Sequence, residues 1–530
     1  MKLAVAALVC TACVFGQGLD PAALLKPPTG TWPTYNGDYS GRRYSPLAQI
    51  NKNNVASLSM AWAFQTHSAE LKSTPLEVDG VLYFTTPDNV WAIDARTGRL
   101  IWHYRRPSPG DHVGHRGVAM YKDRLFFGTP DAHLICLNAR NGEPLWDVEV
   151  ADVHFGYYLS LAPLIVKDTV VIGTSGDQAD VPHFIEAVNP QNGKVIWRWN
   201  SLPARGATGA DTWPDDESRT HGGGPAWLTG TYDPALNLIY WGTGNPHPVL
   251  AGISRPGANL FTCSIVALDA DTGKLVWYYQ PSPHDTHDWD AVETPVLFDG
   301  EFQGRPRKLL AQASRNGYFF LLDRTNGTHL LTVPFIPTDW ASGVDAKGQP
   351  VSDKSKEPQL DGSLVEAYEE GATNWMAPSF DPQSQLFYVN AQQGFTLYYL
   401  TLDRSGKPEG HQGGASSPLW SQARLVAIDY RTGKIRWTRE EEEGAAHPGI
   451  LTTAGHLLIT GDVSGNLLVL DPENGRDLWH VYAGGVLGSS PMTYELDGLQ
   501  YIVTGVDSVL YAWALPVSAS HGSDAHGRKP

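Results

Sequence analysis

The chain has 530 residues, 42% hydrophobic and 18% charged, with a formal net charge of −17 and an isoelectric point near 5.5. This acidic balance excludes a nucleic-acid partner, which would need a basic face. Beyond the first residues no apolar run is long enough to cross a bilayer, so the mature chain carries no transmembrane segment.

Met1-Lys2, an apolar stretch from Leu3 to Phe15 and a cleavage point after Gly16 read as a secretory signal peptide over residues 1–16, which implies a periplasmic or secreted protein. Cys10 and Cys13 fall inside it, so their Cys-x-x-Cys spacing is neither a zinc nor a redox motif. A lipoprotein anchor at Cys13 is the alternative, although Cys10 stands where such a signal wants an aliphatic residue. A Trp-bearing strand, Met60–Phe64, comes next. A turn signature, Asp/Asn-x-x-Thr/Asn-Gly-x-x-x-Trp, then begins at Asp94, Asn138, Asn189, Asp269, Asp323, Asp429 and Asp471, with Leu331 replacing Trp in the fifth copy. Each copy follows an apolar β-prone run. The Asp or Asn side chain bonds the turn backbone, Gly permits positive φ, and Trp supplies a large buried anchor. The spacings of 44, 51, 80, 54, 106 and 42 residues are a repeat period broken by two long insertions. Four-stranded repeats of roughly 40–50 residues are propeller blades.

The expected fold is therefore all-β, an eight-bladed β-propeller over residues 17–516. Tyr501–Thr504 and Val509–Trp513 would complete the blade begun by Met60–Phe64 and close the ring with strands from both termini. Glu440 to Glu443 read as a solvated loop, and residues 517–530 as a disordered polar tail. His521 and His526 in that tail are metal-binding types, with a plain tail as the simpler reading. Cys136 and Cys263 fall in blade strands, as packed thiols or, alternatively, as a disulfide.

Between the turns, the segments from Trp32–Leu47 to Ser490–Tyr494 resemble the pyrroloquinoline quinone (PQQ) dependent dehydrogenases, the quinoprotein alcohol and sugar dehydrogenases. The repeat alone would be weak evidence, since a non-enzymatic outer-membrane assembly lipoprotein also uses it. The resemblance implies oxidation of a small-molecule alcohol or sugar with PQQ and a bound calcium or lanthanide ion. Pro283–Asp290 is similar to the family's H-D-x-W-D-x-D segment, with His287 in the Trp position. That match makes Asp288 the catalytic base, a carboxylate that is ionised at neutral pH, and sets Asp290 where lanthanide-using relatives carry an extra carboxylate. Thr243–Pro246 resembles T-G-N-P and makes Asn245 a metal ligand, while Ser175–Gln178 falls on S-G-A-E, so neutral Gln178 replaces a Glu ligand. Asp288 and Asp290 would restore two negative charges, with Asp177 turning inward to help; the alternative is a weakened or lost metal site.

For the flat tricarboxylate cofactor, the resemblance implies Arg116 on a carboxylate, Trp227 as the pocket floor and Arg315 beside the quinone oxygens. Asn374-Trp375 would lie near the ring edge, and Ser160, Ser175 and Gly176 would supply hydrogen bonds. Lys72 stands where relatives carry Glu, giving two cations for the cofactor and mutual repulsion in an empty pocket. His112, in His112-Val-Gly-His-Arg-Gly117, is a candidate substrate-contact or proton-relay residue. Pro225 removes a donor two residues before Trp227. No Cys-x-x-Cys-His follows the signal, which implies a separate cytochrome c or membrane quinone as electron acceptor. The changes at Lys72, Gln178 and Pro225 motivate a rival reading, a catalytically degenerate propeller acting as a binding or assembly scaffold. Specificity would sit mainly in the insertions around residues 201–220 and 334–371.

Overall fold

A computed structural model describes residues 18–109, 114–176, 180–444 and 448–516. The signal segment, His112, Asp177, Gln178 and the tail lie outside the described residues. The protein is all-β: the α-helix Asp216–Thr220 spans only five residues, and no helix among the described residues is long and apolar enough to cross a membrane.

Among the described residues, eight sheets of four or five strands follow one another, with one additional two-stranded ribbon, Ala341–Val344 with Pro350–Ser352. The first sheet runs from Leu76–Val78 to Leu100–Arg105, the second from Ala119–Tyr121 to Pro144–Glu149 and the third from Leu164–Val166 to Val195–Asn200. The fourth runs from Thr231–Asp233 to Leu275–Tyr279 and the fifth from Val296–Phe302 to Thr328–Pro334. The sixth runs from Ser379–Asp381 to Lys434–Glu443 with Ser363–Val365 added beside Leu386–Leu400, and the seventh from Leu451–Thr453 to Asp477–Tyr482 with Tyr44–Ser45 added in parallel. The eighth combines three C-terminal strands with Ser59–Gln65, which lies antiparallel to Val509–Ala514 with Trp62 opposite Ala512.

In the first four sheets the first strand is buried throughout, as in Leu76–Val78, whereas in the last strand of the first, third and fourth sheets a buried Trp is flanked by more exposed residues, as in Leu100–Arg105. First strands of neighbouring sheets touch: Leu164–Val166 meets Ala119–Tyr121, and Thr231–Asp233 meets Val296–Phe302. Proline immediately precedes five of the eight first strands, at positions 75, 163, 295, 378 and 491, and disfavours helix at the residue before it.

The turn signature works between repeats. Asp94 Oδ1 accepts the Arg96 and Thr97 N–H groups at 3.0 Å each, which closes the turn and leaves Gly98 at φ +69°. A Cβ at Gly98 would stand 2.7 Å from the ring of Trp62, the anchor of the preceding strand, so glycine is needed for contact as well as for conformation. Trp62 Nε1 then donates to Ala95 O at 3.1 Å. The same indole-on-glycine dock recurs for Trp102 on Gly142, Trp197 on Gly273, Trp277 on Gly327 and Trp437 on Gly475. Leu331 cannot donate, and Gly433 packs instead against Val333 and Leu331. Trp479 meets Trp513 edge-to-face at 5.5 Å.

One expectation is corrected. Glu440 to Glu443 form the end of the strand Lys434–Glu443 rather than a loop. The sixth sheet's strands are unusually long, at 15 residues for Leu386–Leu400 and 16 for Gly414–Asp429, and they carry their neighbour outward with them. Alternation then turns Glu441 inward, where it accepts Val463 N–H at 3.3 Å and burial pushes its carboxyl up to about 7. Cys136 and Cys263 are buried free thiols.

Candidate active site

In an antiparallel sheet the residues entering the first strand and those leaving the second lie at the same end. Lys72, Arg116, Ser160, Trp227, Asp288, Asp290, Asn374 and Trp375 all precede first strands. Ser175, Asn245 and Arg315 all follow second strands. Sheet topology thus gathers residues up to 303 positions apart around one cavity of about 490 Å³. Lys72, Arg116, Ser160, Trp227, Asn245, Asp288, Asp290, Arg315, Asn374 and Trp375 line it. An apolar cluster of Tyr35, Ala162, Leu228 and Val292 packs against Trp227 and Trp375.

Arg315 is the electrostatic hub. Its guanidinium lies 3.4 Å from Asp288 Oδ2 and 3.3 Å from Asp290 Oδ2. Burial would push it down, but Asp288, Asp290 and Glu293 together hold it above its ordinary value, so it stays charged. Asp290 also accepts Trp227 Nε1–H at 2.7 Å and Asn245 N–H at 2.6 Å, which fixes the floor indole to the carboxylate. Behind Arg315, burial raises the Glu293 carboxyl well above the ordinary range against the pull of Arg315.

Asp288 stands at φ +67°, a conformation that Asp tolerates better than most side chains. Its turn is held by the buried Asp285 carboxylate, which accepts the N–H groups of His287, Asp288 and Trp289 at 3.3, 3.1 and 3.2 Å. His287 stacks on Trp289 with ring centroids 4.2 Å apart, and burial pushes it down to about 4, leaving a neutral aromatic plate. A planar imidazole can therefore stack where the resembling segment has an indole.

Arg116 lies between two indoles, 4.8 Å from the Trp227 ring centroid and 5.3 Å from that of Trp375. Lys72 is 5.9 Å from the Trp375 centroid and 3.7 Å from Glu70 Oε2. Glu70, two residues away along the chain, thus supplies a negative partner beside the second cation. Ser175 lies behind Ser160, with the two hydroxyls 3.2 Å apart, and Gly176 packs close to His183 and Gly156; neither lines the cavity. Asn374 uses its amide internally, accepting Trp375 N–H and donating to Glu370 O at 2.8 Å each, so it orients Trp375. His112 and Gln178 lie outside the described residues.

Asn245 has its amide oxygen 3.3 Å from Asp288 Oδ1 and 3.1 Å from Asp290 Oδ1. Either the amide turns to donate to both carboxylates, or three oxygens converge on a cation. Among the described residues no three His, Cys, Asp or Glu side chains are grouped to hold a metal, so the acidic donors here number two.

Sequence reasoning missed Glu70, Tyr158, Val249, Glu370, Met376, Gln412 and Val486, which complete the lining. Glu70, Tyr158 and Met376 were findable, because they lie in the same segments entering first strands as the recognised residues. No residue of 201–220 lines the cavity, whereas Glu370 comes from the second insertion.

A family model described as the glucose/ethanol/alcohol dehydrogenase β-propeller domain (PQQ) matches residues 32–361, and one described as outer membrane protein assembly factor BamB matches 262–485. The chain is 36% identical to the quinoprotein alcohol dehydrogenase PedH of Pseudomonas putida, over 89% of this chain and 84% of that protein. It is 35% identical to the quinohemoprotein alcohol dehydrogenase of Comamonas testosteroni, over 90% and 73%. The solved structure of quinohemoprotein alcohol dehydrogenase from Comamonas testosteroni superposes with a TM-score of 0.86 at 32% identity, covering 93% of this chain and 82% of that one. A europium-containing methanol dehydrogenase superposes at 0.85 with 27% identity, covering 93% and 99%. The dehydrogenase likeness spans most of the chain, whereas the assembly-factor model matches less than half, which disfavours the scaffold reading.

Proposed function

The chain belongs to the PQQ-dependent quinoprotein dehydrogenases, and from that premise we propose that it oxidises an alcohol or sugar hydroxyl at the Asp288–Arg315 cavity, with a calcium or lanthanide ion assisting. The observation that carries this reading is the bonded chain Trp227–Asp290–Arg315–Asp288, which joins the cavity floor to the base. The cavity residues fit the cofactor. Arg116 between Trp227 and Trp375 offers a fixed cation beside flat apolar faces, which suits a planar carboxylate. Three cations, Lys72, Arg116 and Arg315, face four carboxylates, Glu70, Asp288, Asp290 and Glu370, for a net charge of −1. A tricarboxylate entering alone would make the cavity strongly negative, so it calls for an accompanying cation. Asn245, Asp288 and Asp290 offer that cation three oxygens.

PQQ held there would supply an ortho-quinone, the hydride acceptor for alcohol oxidation. Asp288, with its side chain 34% exposed to the cavity, takes the hydroxyl proton. Arg315, kept charged by its carboxylate neighbours, holds Asp288 in position and stabilises negative charge developing beside it. Asp290 fixes Trp227, and the apolar packing around the two indoles restricts water at the floor.

We also take each of the eight sheets as one blade, with the pairing of Ser59–Gln65 and Val509–Ala514 closing the ring. Residues 1–16 are read as an export signal, the periplasm as the working compartment, and a separate cytochrome c or membrane quinone as the electron acceptor. Titration of the apoprotein with PQQ, in calcium or lanthanum separately and followed by cofactor absorbance and thermal stability, tests the assignment. Tight metal-dependent binding with turnover of an alcohol by an artificial acceptor is expected; no binding with either metal refutes it.

A further inference from the structure

Beside the main cavity lies a second chamber of about 180 Å³, and Asp288 and Gln412 line both. At roughly 30 Å³ per water this volume equals about six waters, room for a small organic molecule and too little for a disaccharide. Its walls are built by this chain's own elongated hairpin, in which Tyr398 pairs with Ser416 and Leu400 with Gly414, and by Glu369 from the second insertion. The loop carrying Gln412 is tied to the opposite wall, where Leu250 N–H donates to Gln412 O at 2.8 Å.

The lining is polar. Glu369 accepts the Ser416 hydroxyl, Gln412 contributes an amide, and Leu250 is the one large aliphatic side chain. Tyr398 lines the same chamber, is fully buried, and its hydroxyl has no hydrogen-bond partner among the described residues. The Glu369 carboxylate is costly to leave opposite an alkyl chain, which offers it no donor.

We propose that this chamber binds a second hydroxyl of the substrate, making the preferred substrates small vicinal diols and polyols rather than simple aliphatic alcohols. The inference rests on the dehydrogenase reading above, since it takes Asp288 as the residue that meets the reacting hydroxyl. Glu369 accepts from the distal hydroxyl, while its carboxylate disfavours anionic substrates. A site built to hydrogen-bond a hydroxyl discriminates against the analogue lacking it by up to about 10⁴-fold, far more than an apolar pocket distinguishes one methylene.

The test compares 1,2-propanediol with 1-propanol, matched in carbon number, as substrates of the PQQ- and metal-loaded enzyme. Wild type is expected to favour the diol at least tenfold in kcat/KM. Glu369→Leu and, as a size-conserving partner, Glu369→Gln should lower that preference at least fivefold through the diol KM, leaving kcat/KM for 1-propanol within twofold. Equal use of the two alcohols by a PQQ-binding wild-type enzyme overturns the diol assignment alone. An unchanged preference in both Glu369 variants also overturns it. Failure to bind PQQ, with neither alcohol oxidised, refutes the dehydrogenase reading and this inference with it.

Discussion

The turns at the sheet edges and the rim of the cavity use opposite strategies. At an edge the same interaction is made repeatedly: an indole covers a positive-φ glycine of the next repeat and donates to a backbone carbonyl near it. These docks are neutral, local and redundant, and the Leu331 copy shows that one can lose its donor within the same architecture. At the rim, each residue occurs once, six of the sheets contribute, and charges are buried against one another. Repetition carries stability, and convergence carries chemistry. A substitution at the rim should therefore abolish activity with little change in folding, and one at an edge should do the reverse.

The largest effect that would sharpen this contrast is at Asp288. Asp288→Asn keeps the shape and the tolerance for φ +67°, while removing the base. Turnover of the loaded enzyme should fall by about 10²–10⁴-fold. Arg315 retains Asp290, so the unfolding midpoint should move by no more than a few degrees. Activity within threefold of wild type would remove Asp288 from the chemistry and break the comparison at its centre.

The ease with which each region was read from sequence follows the same division. Seven copies of one turn declare a repeat without any structural knowledge, because Asp, Gly and Trp each have a separate physical reason to recur. The pairing of Trp62 with Gly98, or of Trp197 with Gly273, was not legible, since sequence periodicity does not say which repeat an anchor touches. Ten of the proposed site residues fell into one cavity because they occupy matching positions in their repeats. Glu70 escaped because its value lies in a contact with Lys72 that the change at Lys72 alone did not suggest. Glu369, Tyr398 and Ser416 escaped for a different reason. They lie in an insertion and in strand extensions, where no period marks the face a side chain takes, and where Glu440 to Glu443 were also misread as a loop.

The intermediate effect belongs to the edge. Gly273 has φ +67°, and a Cβ there would stand 2.4 Å from the Trp197 ring. Gly273→Ala should lose about 1–2 kcal/mol from conformation and a similar amount from overpacking, or about 3 kcal/mol in all. Gly304 separates the two parts, because at φ +73° it has nothing within 4 Å of its Cβ position. Gly304→Ala should show only the conformational part, about 1–2 kcal/mol, in a denaturant midpoint measured alongside. Equal losses in the two variants would mean that the indole yields and that the dock is loose.

The smallest effect isolates the hydrogen bond within a dock. Trp277 Nε1 donates to Arg324 O at 3.1 Å, and Arg324 itself is fixed by ion pairs to Asp233 and Asp299. Trp277→Phe keeps an aromatic ring against Gly327 but removes the donor, leaving one buried carbonyl less satisfied. A single neutral hydrogen bond contributes about 1 kcal/mol net, so the denaturant midpoint should fall slightly and kcat should stay unchanged. Because Leu331 already stands at the equivalent position in the fifth sheet, a loss above about 3 kcal/mol would show that the docks are not interchangeable. The fourth sheet would then be a specific support for the cavity, since Trp227 and Asn245 flank its first two strands.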